Sequence, residues 1–257
     1  MAVSFSVDAG IGTITLDKPP ANSYDLEYVQ ELGEAVQAAA DDDGAKVVIL
    51  RSASEKFFSA GADVSVFAKS QLDEQNAFVV CANEAMSKFE STAKVVIAAI
   101  NGHCLGGGLE IALCCDFRIA AEGSYKIGLP EVTLGLLPGT GGTQRLPRLI
   151  GRQKALELML RGTTLSPQEA KDAGIVDELV PAAELQSRVV ERARSYAQGL
   201  SLAVGMIKLA TVQGYGRSLE QGLAIEREAL LRLFKSDDAR EGVTAFVEKR
   251  KPDYKGH

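Results

Sequence analysis

In "VSFSVDAGIGTITLD", apolar residues recur at every second position on either side of a glycine-bearing stretch, Gly10 to Gly12, which predicts an opening hairpin. The period then changes. In "DLEYVQELGEAVQAAADDDG", Leu26, Val29, Leu32 and Val36 fall three or four apart, predicting a helix capped by Asp25 and ended before Gly44. The apolar run "KVVILRSA" reads as a strand and is followed by a polar break and "FFSAGADVSVF". Further on, "KVVIAAINGHCLGGGLEIAL" repeats the order of strand, glycine-bearing loop and helix start, and "DFRIAAEGSYKIGLPEVTLGLLPG" gives a weaker third version. Similarity among the three is too slight for a true internal repeat. After Gly142 the pattern turns almost wholly helical, with Ser166 and Glu169 at capping-box spacing and Pro167 suited to a first helical turn. The pattern predicts a mixed α/β body over 1–195 and a helical end over 196–257, with no Pro/Gly/Ser-rich linker between them.

Composition narrows the function classes. Of 257 residues, 46% are hydrophobic and 24% charged, enough apolar surface for a substantial core with disorder expected only at the ends. The 28 basic and 34 acidic residues give a net charge of -6, which leaves no basic footprint for nucleic acid. The one strongly basic stretch is "EKRKPDYKGH", Glu248 to His257. No run reaches the roughly 18 apolar residues of a spanning helix, and "MAVSFSVDAG" lacks a basic start and apolar signal core, so a cytoplasmic location without membrane partners is expected. Cys81, Cys104, Cys114 and Cys115 form no CxxC pair and read as reduced core thiols.

Candidate chemistry concentrates in the glycine-bearing loops. Gly106, Gly107 and Gly108 can present backbone N–H groups that larger residues would shield, and the helix that follows aims its positive end the same way. Donors so placed stabilise an oxyanion, while tight packing of strand against helix explains these glycines about as well. "FFSAGAD" repeats the device and offers a second donor near Ala60 or Gly61, while Asp63 reads as a helix cap. Glu110 and Glu131 are the candidate acid and base for adding water to an activated double bond, and Glu131 is conspicuous as a charge inside apolar "GLPEVTLGLLPG". The only histidines are His103, read as a structural loop residue, and His257, which leaves no histidine cluster for zinc. "LPGTGGTQRL" lacks the Lys-Ser/Thr ending of a P-loop; Gly139, Gly141 and Gly142 read as turn formers, and Gly139 can also offer an N–H to the site.

Taken together, "FFSAGAD", "INGHCLGGGLEIALCCDFRIA", "IGLPEVTLGLLPGTGGTQRLPRLIG" and "AFVEKRKPDYKGH" resemble the crotonase superfamily, most closely the enoyl-CoA hydratases, over nearly the whole chain. The resemblance implies an α/β spiral of ββα turns, a C-terminal helical trimerisation region and a homotrimer or a hexamer built as a dimer of trimers. It further implies that Ala60 and Gly107 N–H groups grip the thioester oxygen of an acyl-CoA, and that Glu110 and Glu131 exchange protons with a water added across the 2,3 double bond. Ala60, Gly61, Ala62 and Asp63 match the loop along which the CoA adenine part lies, and Lys249 matches a tail lysine that reaches the CoA phosphate of a neighbouring subunit. No metal or redox cofactor is implied, since coenzyme A is part of the substrate. The rival readings are a Δ3,Δ2-enoyl-CoA isomerase, another acyl-CoA lyase or hydrolase of this fold, and a non-catalytic acyl-CoA or RNA-binding homologue. "KPPANSYD" departs from the usual Arg-Pro, Asn-Ala-Leu-Asn segment and keeps only Asn22. Phe67 and Phe78 border the expected acyl pocket and read as core.

Overall fold

The computed structural model describes residues 1–197 and 200–255. His257 and the end of the basic tail lie outside the described residues. The chain opens with β1 (Val3–Asp8) and β2 (Ile11–Leu16), an antiparallel hairpin turning at Ala9 and Gly10, so Gly12 lies within the second strand. Helix α1 (Leu26–Asp41) starts as expected at Asp25, whose side chain accepts from Tyr28 N–H at 3.1 Å. There follow β3 (Val47–Ser52), β4 (Phe57–Ser59), α2 (Val64–Phe67), α3 (Leu72–Ser91), β5 (Val95–Ile100), β6 (His103–Leu105), α4 (Gly107–Leu113), β7 (Phe117–Ala121) and β8 (Ile127–Gly128). A 3-10 turn spans Glu131–Leu134. The remainder comprises α5 (Gly142–Ile150), α6 (Arg152–Arg161), β9 (Thr164–Leu165), α7 (Pro167–Ala173), β10 (Glu178–Val180), α8 (Leu185–Ala197), α9 (Ser201–Gly214), α10 (Leu219–Leu233) and α11 (Asp237–Glu248).

Each strand–loop–helix unit read from the sequence contributes to two sheets. The larger runs β1-β2-β3-β5-β7-β10 and the smaller β4-β6-β8-β9. Thus β3 and β4, then β5 and β6, then β7 and β8 each add one parallel strand to both sheets, and the chain winds as a spiral. Strands β3 and β5 carry near-continuous apolar runs because both faces of the larger sheet are covered. On one face Val48, Leu50, Val96, Ala98 and Ile100 meet α1 and α3; on the other Val47, Ile49, Val95, Ile97 and Ala99 meet Leu185, Val189 and Ala193 of α8.

Beyond Gly142 two short strands, β9 and β10, interrupt what the sequence reads as almost wholly helical. Both are too short to show an alternating pattern of their own and are held by pairing, β9 with β8 and β10 with β7. The capping box at α7 forms as read: Ser166 N–H donates to Glu169 Oε2 at 2.7 Å and Glu169 N–H to Ser166 Oγ at 3.3 Å. The four cysteines are free thiols, with Cys104, Cys114 and Cys115 buried and Cys81 half-buried. Among the described residues no helix is long and apolar enough to cross a membrane.

Candidate active site

Three loops meet at one edge because they follow neighbouring parallel strands. Strand β4 leads into Ala60–Asp63, β6 into Gly106–Gly108 and β8 into Leu129–Glu131, and the order β4-β6-β8 puts the loops side by side. Parallel strands end at a common edge, so residues distant in sequence converge there. Glu110 and Glu131, 21 residues apart, therefore come within electrostatic reach of each other.

The three glycines of "LGGG" make room chiefly for the protein's own groups. A Cβ on Gly106 would stand 3.1 Å from Glu131 Oε1, one on Gly107 would overlap the Tyr24 hydroxyl at 1.6 Å, and one on Gly108 would meet Ser59 O at 2.2 Å. Gly106 also adopts φ +54°, a region L side chains rarely enter. Each glycine thus admits a different segment, and the backbone of the β4 loop presses equally close: a Cβ on Gly61 would lie 2.8 Å from Gly107 N.

The expected donor at Ala60 is corrected by the hydrogen-bond pattern. Ala60 N–H is committed to Ala21 O at 2.9 Å, and Gly61 N–H donates to Ser59 Oγ at 3.1 Å. A bridge between Tyr24 and Ala62 uses Tyr24 N–H on Gly61 O and Asp63 N–H on Tyr24 O, so it takes the carbonyl before Ala62 and the N–H after it and leaves Ala62's own N–H. Among the described residues neither Ala62 N–H nor Gly107 N–H has an acceptor. The cause is the surviving Asn22, whose Nδ2 donates to Ser52 Oγ at 2.7 Å and Phe58 O at 3.0 Å, docking the preceding loop so that Ala21 O takes up Ala60.

The two glutamates occupy opposite environments. Glu110 is 2% exposed on α4 and accepts three hydrogen bonds: Thr140 N–H at 2.8 Å and Gly142 N–H at 2.7 Å on Oε1, and Thr140 Oγ1 on Oε2. Burial raises its pKa, while the Thr140 and Gly142 donors and the Arg145 charge pull it back. Backbone N–H groups can only donate, so the cradle fits the ionised carboxylate. Glu131 has the reverse setting, with both carboxyl oxygens shut off from solvent and unpartnered. Its pKa is pushed up to about 7, chiefly by burial, with the charge of Glu110 adding to the shift.

This shift makes a stability prediction. A carboxyl with a raised folded-state pKa contributes stability that is complete below its ordinary value of 4.5 and is lost as pH rises through about 7. Glu131→Gln, which cannot ionise, escapes that loss, so its melting temperature should gain on the wild type's between pH 5 and pH 8. A gap that stays constant across that range would show that Glu131 titrates normally.

The remaining predicted residues divide. Asp63 caps α2, its Oδ1 accepting from Ser65 N–H at 3.0 Å and Ser65 Oγ at 2.7 Å. Gly139 lies in the loop of Thr140 and Gly142, where its carbonyl accepts from Asn83 Nδ2 at 3.3 Å. Lys249 is exposed at the left-handed C-cap of α11, a helix that shares no sizeable packing face with the elements carrying the two glutamates. His103 is structural, with Nδ1 accepting from Lys126 N–H at 3.2 Å. Phe78 lies in the core, stacked on Tyr24 at 5.8 Å, and half-buried Phe67 packs against it edge to face at 4.9 Å.

Sequence reading missed Thr140, Gly142 and Arg145. Arg145 pairs with Glu90 through both carboxylate oxygens, at 2.9 and 2.6 Å, and donates to Thr140 O at 3.0 Å, which holds the loop that cradles Glu110. The signal available was the glycine spacing in "PGTGGTQR", which frees backbone N–H groups at the start of α5.

A two-sheet ββα spiral whose glycine loops gather free N–H groups beside paired glutamates is the crotonase architecture. The family model described as Enoyl-CoA hydratase/isomerase matches residues 6–257. A Bacillus subtilis protein named probable enoyl-CoA hydratase is 38% identical over 99% of this chain and 99% of its own. The crotonyl-CoA hydratase of Syntrophomonas wolfei is 37% identical over 95% of this chain and 94% of its own. A crystal structure of enoyl-CoA hydratase from Bacillus anthracis superposes with a TM-score of 0.93 at 40% identity, covering 100% of both chains. The chain belongs to the enoyl-CoA hydratase/isomerase family.

Proposed function

We propose that the protein is an enoyl-CoA hydratase that adds water reversibly to a trans-2-enoyl-CoA to give a 3-hydroxyacyl-CoA. The observation that carries this reading is the contrast between Glu110, clothed in three donors, and half-buried Glu131, whose shielded carboxyl oxygens have none, beside the unengaged N–H groups of Ala62 and Gly107. In the hydration direction the Glu110 carboxylate takes a proton from water as its oxygen bonds to C3. Electrons of the double bond move toward the thioester, whose oxygen carries enolate charge against Ala62 and Gly107 N–H. Protonated Glu131 then delivers its proton to C2, and transfer of one proton from Glu110 to Glu131 restores the starting state. Opposite protonation states suit these opposite tasks, because an effective acid or base has a pKa near the working pH. No step calls for a metal or redox cofactor.

The test is the fall in conjugated-thioester absorbance when the purified protein meets crotonyl-CoA or a medium-chain 2-enoyl-CoA. Rapid loss with a 3-hydroxyacyl-CoA product supports the hydratase; tight binding without loss moves the assignment to an isomerase or a specialised acyl-CoA enzyme.

The helical end, 196–257, fits an oligomerisation region of a homotrimer or hexamer. Its apolar surface supports this: α10 buries no residue within the single chain, while Leu219 is 78% and Phe246 85% exposed. Lys249, on the same region, is assigned to the CoA phosphate of a neighbouring subunit. Lys249→Ala should then raise KM for crotonyl-CoA several-fold while leaving KM for a crotonyl-pantetheine thioester, which lacks the nucleotide, near the wild-type value. Equal effects on both substrates would remove Lys249 from phosphate recognition.

A further inference from the structure

The loop that serves Glu110 is itself held on its carbonyl side. In a planar trans peptide the C=O and N–H point opposite ways, so a grip on the carbonyl aims the N–H. Thr140 N–H shares its peptide unit with Gly139 O, on which Asn83 Nδ2 of α3 donates at 3.3 Å. Gly142 N–H shares its unit with Gly141 O, which accepts from Gln144 N–H at 3.0 Å and Arg145 N–H at 2.8 Å. The unit between them carries Thr140 O, and Arg145 Nη1 reaches back from α5 to donate to it at 3.0 Å.

Arg145 can do this only while its guanidinium is fixed. Glu90, on α3, fixes it through two parallel bonds, Nε to Oε1 at 2.9 Å and Nη2 to Oε2 at 2.6 Å, the fork-to-fork geometry that adds direction as well as strength. The pair is partly buried, with the Arg145 side chain 16% and the Glu90 side chain 35% exposed, and Met86 and Phe89 seat that turn of α3 in the core. Gly141 leaves the path of the guanidinium open: its φ is +115°, and a Cβ there would stand 1.8 Å from Arg145 Nη1. The fork therefore ties together α3, the loop and α5.

We infer that Glu90 and Arg145 are positioning residues for Glu110: Glu90 fixes the guanidinium, which grips Thr140 O and so keeps the N–H groups of Thr140 and Gly142 on Glu110 Oε1. The inference rests on the reading of Glu110 as the base that acts on water. Neither residue enters the proton scheme. Without the grip the middle peptide unit can turn, and the units on either side turn with it, since they share the Cα atoms of Thr140 and Gly141. Glu110 then keeps its burial and loses donors, which favours its protonated form and deprives water of its base.

Glu90→Gln tests this, because it keeps the shape of a partly exposed side chain and weakens the fork. On crotonyl-CoA it should lower kcat about tenfold with KM within about twofold. Arg145→Met, which keeps the apolar stem and removes every donor, should lower kcat at least as far, and the double variant should be little worse than Arg145→Met alone, as expected of one unit. The 13C-carboxyl titration of Glu110, assigned by its disappearance in Glu110→Gln, needs no substrate and separates positioning from charge. Glu110 faces the Arg145 cation from α5 and the Glu131 carboxyl from the turn after β8, with the Tyr24 phenol and the Cys114 thiol also in electrostatic reach and Glu90 behind Arg145. Removing the negative charge of Glu90 would by itself lower the Glu110 midpoint, whereas a loosened cradle raises it. The midpoint should therefore rise in Glu90→Gln. A midpoint that falls or stays, additive losses in the double variant, or an effect confined to KM would each overturn the inference. If the wild-type protein hydrates no enoyl-CoA, the proposed function falls, while the Glu110 titration still decides what Glu90 and Arg145 do.

Discussion

Glu131→Gln is expected to lower turnover on crotonyl-CoA by about 10³-fold, within the range associated with loss of a positioned acid or base. The amide matches the carboxyl in shape but has no acidic proton for C2. It also suits the pocket, because neither oxygen of Glu131 has a partner that the change would break. Glu110→Gln should cost turnover on a similar scale for a different reason: the amide cannot accept a proton from water, and its NH₂ would face a donor from Thr140 or Gly142. Of the two, Glu110→Gln should be the less stable. Both should bind butyryl-CoA, which lacks the double bond, with nearly wild-type affinity in calorimetry, since neither carboxyl is assigned to CoA recognition. Normal turnover in either variant would remove that residue from the mechanism.

The second large effect is at Gly107. This residue opens α4, the helical position that best tolerates proline, so Gly107→Pro removes the N–H without breaking a helical hydrogen bond. Losing one oxyanion donor costs about 2.7–4 kcal/mol, or about 10² to 10³ in kcat. The new side chain also drives into the Tyr24 hydroxyl, where a Cβ would stand at 1.6 Å. Gly107→Ala isolates that second effect, because alanine retains the N–H. The further loss from alanine to proline should then be about 10²-fold or more, with circular dichroism and oligomeric size used to confine the comparison to folded protein. Equal activity in the two variants would place the oxyanion donor elsewhere.

Much of this fold is legible locally. The β1–β2 hairpin, the Asp25 cap of α1, the Asp63 cap of α2 and the Ser166–Glu169 box all follow from residues within a few positions of one another. The site loops are legible too, as glycine clusters after apolar strands. What local pattern left open was the reason for the glycines, and what it misread was the choice of donor. Gly107 and Gly108 yield space to Tyr24 and Ser59, which come from other turns of the chain. Ala60 looks equivalent to Ala62 in "SAGAD" until Ala21 O claims its N–H.

Sequence by itself determined the alternation of strands and helices, the three glycine-bearing turns and the two acids, since period, caps and backbone permissiveness act over short distances. Only the tertiary structure decided that β4, β6 and β8 are neighbours, which brings Glu131 to Glu110, and that Thr140 and Gly142 cradle one carboxyl while the other is left bare. A carboxyl's protonation depends on burial and on donors within a few ångströms, and here those groups come from strands and loops far apart in the chain. The contrasting settings of Glu110 and Glu131 are therefore properties of the spiral's winding.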